Sequence, residues 1–149
     1  MATAKDAPLI CDFNVAMAYE TEHTILDAKI MLAGVNGLMN HLDRGYYAVA
    51  EVKDRVAASL MVTKEWSDWR NGFFWWIQSV YVLPEFRRRG LYSSMYKFVK
   101  TLSESDPEVC GYRLYVERNN KTAQAAYENL GMAETHYKLY EELKAISNE

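Results

Sequence analysis

Apolar residues recur along the 149-residue chain with two different periods, and the change of period marks out its elements. Leu9, Ile10, Phe13 and Met17 fall on one face at helical spacing, and Asp6 with Pro8 two places on supplies a cap, so a first helix is predicted to about Tyr19. A second amphipathic helix is predicted from Leu26 through Ile30, Leu32 and Val35 to Met39. Gly34 and Gly37 weaken it by up to about 1 kcal/mol each relative to alanine, and Glu20-Thr21-Glu22-His23 forms the link. The period then shortens to two. Tyr46 to Val52 is β-rich, Lys53-Asp54 makes a tight turn, and Arg55 to Thr63 completes a hairpin. Glu65 to Gly72 is rich in turn residues, and a long strand from Phe73 to Val82 ends before Pro84.

Strict alternation along that strand sends Trp75, Ile77, Ser79 and Tyr81 to one face and Trp76, Gln78, Val80 and Val82 to the other. From Gly90 to about Ser103 the helical spacing returns through Leu91, Met95, Phe98, Val99 and Leu102. Gly111 introduces a strand from Tyr112 to Glu117. Asn120 caps a helix through Leu130, with Gly131 suited to the left-handed residue after it, and a last strand runs from Met132 to Tyr140. Helices, then antiparallel strands, then strand and helix in alternation predict an α/β (α+β) fold. Its mixed, mainly antiparallel central sheet would be flanked by about four helices, in a single domain over residues 1–149.

Composition narrows the class. Half the residues are hydrophobic and a quarter charged, which suits a globular chain with a real core. The charge of −3, from 17 basic and 20 acidic side chains, supplies no global field for nucleic acid or an anionic membrane, and neither is expected as a partner. The acidic surplus lies in residues 1–74. Cys11 and Cys110 match no CxxC or Cys/His ligand spacing, so neither a disulfide framework nor a metal is expected, and a reducing cytoplasm is the expected home. Met1 to Asp6 lacks the pattern of a signal segment, and no run reaches the roughly 18 apolar residues of a membrane span.

Two segments carry chemistry. Val80 to Ser93 reads as a strand feeding a basic loop, Arg87-Arg88-Arg89, that opens a helix at Gly90. Main-chain N–H groups at the positive end of the helix dipole then suit a phosphate, and Gly90 lets the backbone approach it. An arginine run alone reads more simply as a solvated patch. In the second segment, Leu114 to Met132, Asn120 and Tyr127 lie two helical turns apart and share a face, with the small Ala123 and Ala126 nearby. An amide and a phenol can there address one extended ligand, whereas either alone reads as a helix cap and a core tyrosine.

On these residues the sequence resembles the GNAT superfamily of acetyl-CoA-dependent N-acetyltransferases. The family's pyrophosphate loop, Arg/Gln-x-x-Gly-x-Gly/Ala, is matched by Arg87 and Gly90 and departs at Tyr92. Its later Asn and Tyr are matched by Asn120 and Tyr127, followed by Gly131-Met132. The opening Ala2 to Pro8 looks like the family's first strand and helix entry. The resemblance implies direct transfer of acetyl from coenzyme A to an amine in a ternary complex. Main-chain groups of Val80, Tyr81 and Val82 would pair with pantetheine, and the Val82 N–H would polarise the thioester carbonyl. The loop residues Arg87, Arg88, Arg89, Gly90, Leu91, Tyr92 and Ser93 would hold the pyrophosphate, chiefly through main-chain N–H groups from Arg88 on. Asn120 would bond pantetheine, and Tyr127 would protonate the departing thiolate. Dimerisation through the late strands, common in that family, gives a homodimer as a further expectation.

The base that takes the ammonium proton is open. Trp75 to Ser79 contains no acid, which leaves Glu22, Glu65, Asp68 and His136 as candidates, each with a plain reading as a surface or strand residue. All four tryptophans fall between positions 66 and 76. Trp75 and Trp76 suit the sheet core, while Trp66 and Trp69, in a turn-rich stretch, suit an aromatic wall for an amine acceptor together with Glu22 and Asp68. The acceptor would be a primary amine of a small molecule or of a protein or peptide. The alternative is a non-catalytic acyl-CoA-binding module, supported by the missing strand acid and by Tyr92.

Overall fold

A computed structural model describes residues 1–144. They fall into two compact units, Met1–Tyr115 and the residues from Val116 on, each treated by itself below. Thr3 and Asp6 form a reciprocal capping box around a short turn, Ala4–Asp6, that runs directly into α1, Ala7–Glu22. The Asp6 carboxylate therefore accepts from the Thr3 N–H (2.7 Å) and hydroxyl (3.0 Å) rather than capping α1 itself. The helix also continues through most of the predicted link, stopping only where His23 turns left-handed. Asp27 caps α2, Ala28–Met39, its Oδ1 accepting from the N–H groups of Lys29 and Ile30.

The sheet comprises β1 (Gly45–Val52), β2 (Arg55–Ser67), β3 (Gly72–Val82) and β4 (Val109–Arg113), in that spatial order. Its first two pairings are antiparallel and the last is parallel, across α3, Leu91–Glu104. Lys53 and Asp54 both take positive φ in the β1–β2 turn, the twist that joins antiparallel strands in two residues. β2 outruns its predicted end because Thr63 to Ser67 pair with Trp76 to Gly72, and the ladder holds those turn-type residues extended.

Ala7 and Ile10 of α1 and Val35 and Leu38 of α2 pack with Tyr47 against one face of the sheet. On the other face Met95, Tyr96 and Val99 of α3 are buried, Tyr96 lies edge-on to Tyr112, and Trp75 packs edge-on against Tyr46. The sheet is closed on both sides along its middle, which is why Leu60 and Val62 of β2 have no exposed surface.

Three sequence expectations fail, for related reasons. No strand forms in the opening residues, where a single bond from the Ala2 N–H to the Tyr47 carbonyl leads straight into the helical turn. β4 is Val109–Arg113 rather than Tyr112–Glu117, since only those residues have a partner on β3. Gly111 lies inside β4, where a Cβ would come within 2.7 Å of the Phe74 ring. In the second unit, α4 (Lys121–Asn129) is followed by Gly131 at φ +89°, as expected. Residues 132–144, however, form no strand, for an extended segment is stable only when its main chain is paired.

Candidate active site

β3 carries one residue more than β2 can match. Gln78 pairs with Met61 and Tyr81 with Ser59, so two residues of β3 stand opposite Leu60 alone, and Ser79 absorbs the excess at φ +50°. The bulge reverses the strand's alternation. Trp75 and Ile77 face α3, but Tyr81 turns to the α1 side, where its ring lies 5.1 Å from that of Phe13. The single-face assignment of Trp75, Ile77 and Tyr81 is thereby corrected; a bulge leaves no mark in the hydrophobic pattern.

The β3–β4 ladder stops at Trp76 and Arg113. From Ile77 to Val82 no strand among the described residues pairs with β3 on that side, so its outer main-chain groups have no ladder partner there. The Leu83 N–H donates to the Ala57 carbonyl, which with the Ala58–Val82 register turns the N–H and C=O of Val82 away from β2, toward the open edge. The Val82 carbonyl is taken by Arg87 Nε at 2.9 Å. Tyr81, by contrast, pairs with Ser59. Of the two, Val82 is the residue whose main chain faces outward.

Beyond Val82 the chain makes a short turn, Pro84–Phe86, then passes through Arg88 at φ +60° and Gly90 at φ +76° into α3. A Cβ on Gly90 would meet nothing within 4 Å, so glycine is required here for its left-handed backbone rather than for space. The first α3 bond runs from the Ser94 N–H to the Gly90 carbonyl, leaving the N–H groups of Leu91, Tyr92 and Ser93 without an acceptor inside the helix. Such a terminus suits an anion. The ring of Tyr92 stacks on that of Tyr96, one helical turn on.

The three arginines differ in use. Arg88 and Arg89 are exposed, Arg89 lying over Phe86. Arg87, also partly exposed, reaches toward α1, its Nη2 donating to Glu20 Oε2 at 2.7 Å and its guanidinium standing 5.5 Å from the centre of the Tyr81 ring. The Tyr81 hydroxyl donates to Glu20 Oε1 at 2.9 Å. The Arg87 guanidinium and this phenol hold the Glu20 carboxyl below its ordinary pKa, against a smaller opposing push from burial. Sequence reasoning missed Glu20, which sits in the supposed link and meets partners more than sixty residues away.

The candidate acids lie at opposite ends of β3. Glu22, exposed, is the last residue of α1, two beyond Glu20 and so at the Val82 end. Asp68 sits in the β2–β3 turn, where its Oδ1 accepts from the Trp69 N–H. That turn is about 30 Å from Val82 at about 3.3 Å per strand residue, too far for a proton to pass directly or through one water. Trp69 is 85% exposed there, and Trp66 lies edge-on to Phe73. Glu65 is engaged between Trp76 Nε1 (2.7 Å) and Arg113, whose guanidinium stacks 3.7 Å from the centre of the Phe74 ring. Trp75 is buried and Trp76 half-buried, both in the sheet.

In the second unit the Oδ1 of Asn120 accepts from the Ala123 N–H as the α4 cap, leaving its amide hydrogens for other partners. Tyr127 follows seven residues later on the same face, about 10 Å along the axis. It is half-buried, and desolvation raises its pKa, so the phenol keeps its proton at neutral pH. Gln124 donates to the carbonyls of Glu117 and Arg118, pinning the loop before α4. His136 lies exposed outside any strand, its ring 4.2 Å from that of Tyr137. Among the described residues no cluster of His, Cys, Asp or Glu could hold a metal, and no helix is long and apolar enough to cross a membrane.

A strand edge left unpaired beside a helix N-terminus suits an extended ligand with an anionic end, and comparison gives the family. The family model for the acetyltransferase (GNAT) family matches residues 12–132, and the chain belongs to that family. It is 43% identical to a possible acetyltransferase from Clostridium difficile 630, over 97% of this chain and 95% of that one, with a TM-score of 0.89. The fold is shared with a predicted acetyltransferase from Clostridium acetobutylicum solved with acetyl-CoA (16% identity, 95% and 92% covered, TM-score 0.78). It is also shared with a ribosomal-protein-alanine N-acetyltransferase from Brucella melitensis (11% identity, 97% and 96% covered, TM-score 0.75). None of the curated proteins matches the chain.

Proposed function

We propose that this GNAT protein is an N-acetyltransferase that moves the acetyl group of acetyl-CoA to a primary amine of a small molecule or of a protein or peptide. The observation that carries the reading is the unpaired edge of β3, with the Val82 N–H turned toward it, leading into the left-handed loop and the N-terminus of α3. The solved relative named with acetyl-CoA supports the choice of cofactor.

Acetyl-CoA supplies the acyl group as a thioester, whose C–S bond breaks as the C–N bond to the amine forms. The chain's own groups then have separable tasks. The Val82 N–H donates to the carbonyl oxygen as it gains charge. Main-chain groups of Val80 pair with pantetheine, with Tyr81 between the two on the β2 side. Main-chain N–H groups of the Arg88–Ser93 stretch hold the pyrophosphate, and Arg88 and Arg89 add positive charge. Asn120 donates to the pantetheine, and Tyr127 gives its proton to the leaving sulfur. A thiol has a pKa near 8.5 and the phenol a higher one, so this transfer runs together with C–S cleavage rather than before it. Glu22 takes the ammonium proton, its position at the Val82 end distinguishing it from Asp68. Cys11 and Cys110, both free thiols, fit a reducing cytoplasm.

Thiol release from acetyl-CoA with a panel of primary amines tests the reading. Tyr127→Phe should lower kcat about a hundredfold while leaving acetyl-CoA affinity nearly intact, because only the proton donor is lost. An unchanged rate would assign that proton elsewhere. Binding of acetyl-CoA without turnover on any amine would instead favour the non-catalytic module, whose support is the lack of an acid between Trp75 and Ser79.

A further inference from the structure

Glu20 occupies a place that helix physics disfavours. It lies in the last turn of α1, where a carboxylate faces the negative end of the dipole. Two donors from elsewhere in the chain compensate, the Tyr81 hydroxyl on Oε1 and Arg87 Nη2 on Oε2, so both oxygens are engaged. The same guanidinium donates through Nε to the Val82 carbonyl and lies over the Tyr81 ring. Carboxylate, phenol and guanidinium thus close a ring of contacts around the end of β3, where the open edge meets the loop into α3. A planar guanidinium held at Nε and at Nη2 has its orientation fixed.

We propose that Glu20 is a positioning residue for acetyl transfer, acting through Arg87 on the Val82 carbonyl to hold the end of β3 and the start of the loop in the geometry that aims the Val82 N–H. The inference rests on the acetyltransferase reading above. It separates Arg87 from the arginines that follow it: Arg88 and Arg89 serve the anion by charge, whereas Arg87 is a strut between α1 and β3. Glu20 also ties the end of α1, and with it Glu22, to the cofactor loop.

Because both carboxylate oxygens are engaged by Tyr81 and Arg87, loss of the carboxylate should divide the kinetic constants. Glu20→Ala frees Arg87 to turn toward the phosphates, so acetyl-CoA affinity should hold or tighten, while kcat falls about tenfold through misalignment. Glu20→Gln, which keeps an oxygen acceptor, should recover most of the turnover. The exchange Glu20→Arg with Arg87→Glu should regain the thermal stability lost in either single variant but not the rate, since a carboxylate at position 87 cannot donate to the Val82 carbonyl. Unchanged kcat in Glu20→Ala, or an exchanged pair that recovers rate together with stability, would overturn the proposal. Should the wild-type chain release no thiol with any amine, the acetyltransferase reading fails on its own. The strut is then decided by nitrogen-15 NMR of the Arg87 Nε–H, which is expected to exchange measurably faster in Glu20→Ala than in the wild type. Equal exchange in the two proteins would refute it.

Discussion

The two ends of β3 attract attention in the sequence for different reasons, one for its tryptophans and the other for its arginines. At the β2–β3 turn Asp68 bonds the next residue, Trp66 packs on Phe73 and Trp69 stands in solvent, while Glu65 just before the turn pairs with Arg113 inside the sheet. At the Val82 end, Glu20, Tyr81 and Arg87 are drawn from a helix, a strand and a loop into one network. A conspicuous local composition marks a place in the chain. A site needs groups that are distant in sequence and close in space, and at the Val82 end they come from three elements beside the unpaired edge of β3.

The largest test of that contrast is Gly90→Val, which puts a β-branched residue at φ +76°. Strain of about 1–3 kcal/mol should weaken acetyl-CoA binding by about ten- to a hundredfold in calorimetry, and normal binding would remove the phosphate role of the loop. Tyr81→Phe should be milder, lowering unfolding free energy in urea by about 1 kcal/mol through loss of the bond to Glu20. Trp69→Ala should change it by no more than about 0.5 kcal/mol. Asp68→Asn should leave turnover on a small amine within about twofold, whereas a drop of an order of magnitude would join the two ends in one reaction.

The smallest effect concerns pH. The pKa of Glu20 is lowered in the fold, so its stabilisation is fully present above the ordinary carboxylate value, about 4.3, and is lost as pH falls through the lower folded value. Denaturation midpoints between neutral pH and pH 3 should therefore converge for wild type and Glu20→Gln toward the acid end. Midpoints that stay equally separated at every pH would show that the carboxylate's charge contributes nothing.

Local signals carried much of the fold. Positive φ at Lys53, Asp54, Gly90 and Gly131 and the Asn120 cap follow from residue type and neighbours within a turn or two, because a steric or capping preference needs no distant partner. The loop and helix that would hold phosphate were legible on the same basis. Strand limits were not. β2 gained four residues and β4 shifted toward the N-terminus because pairing, not propensity, decides where a strand ends. The predicted strand from Met132 to Tyr140 has the composition of a strand and none of its bonds.

By itself the sequence determined the order of elements, the turn geometries and the membership of two short segments in a recognisable family, since each depends on residues near one another in the chain. Tertiary structure alone decided that Ser79 would bulge, that Tyr81 would thereby turn to the α1 face, and that Arg87 would meet Glu20. Register is a property of two strands together, and an ion pair across sixty-seven residues exists only once the chain has closed around it.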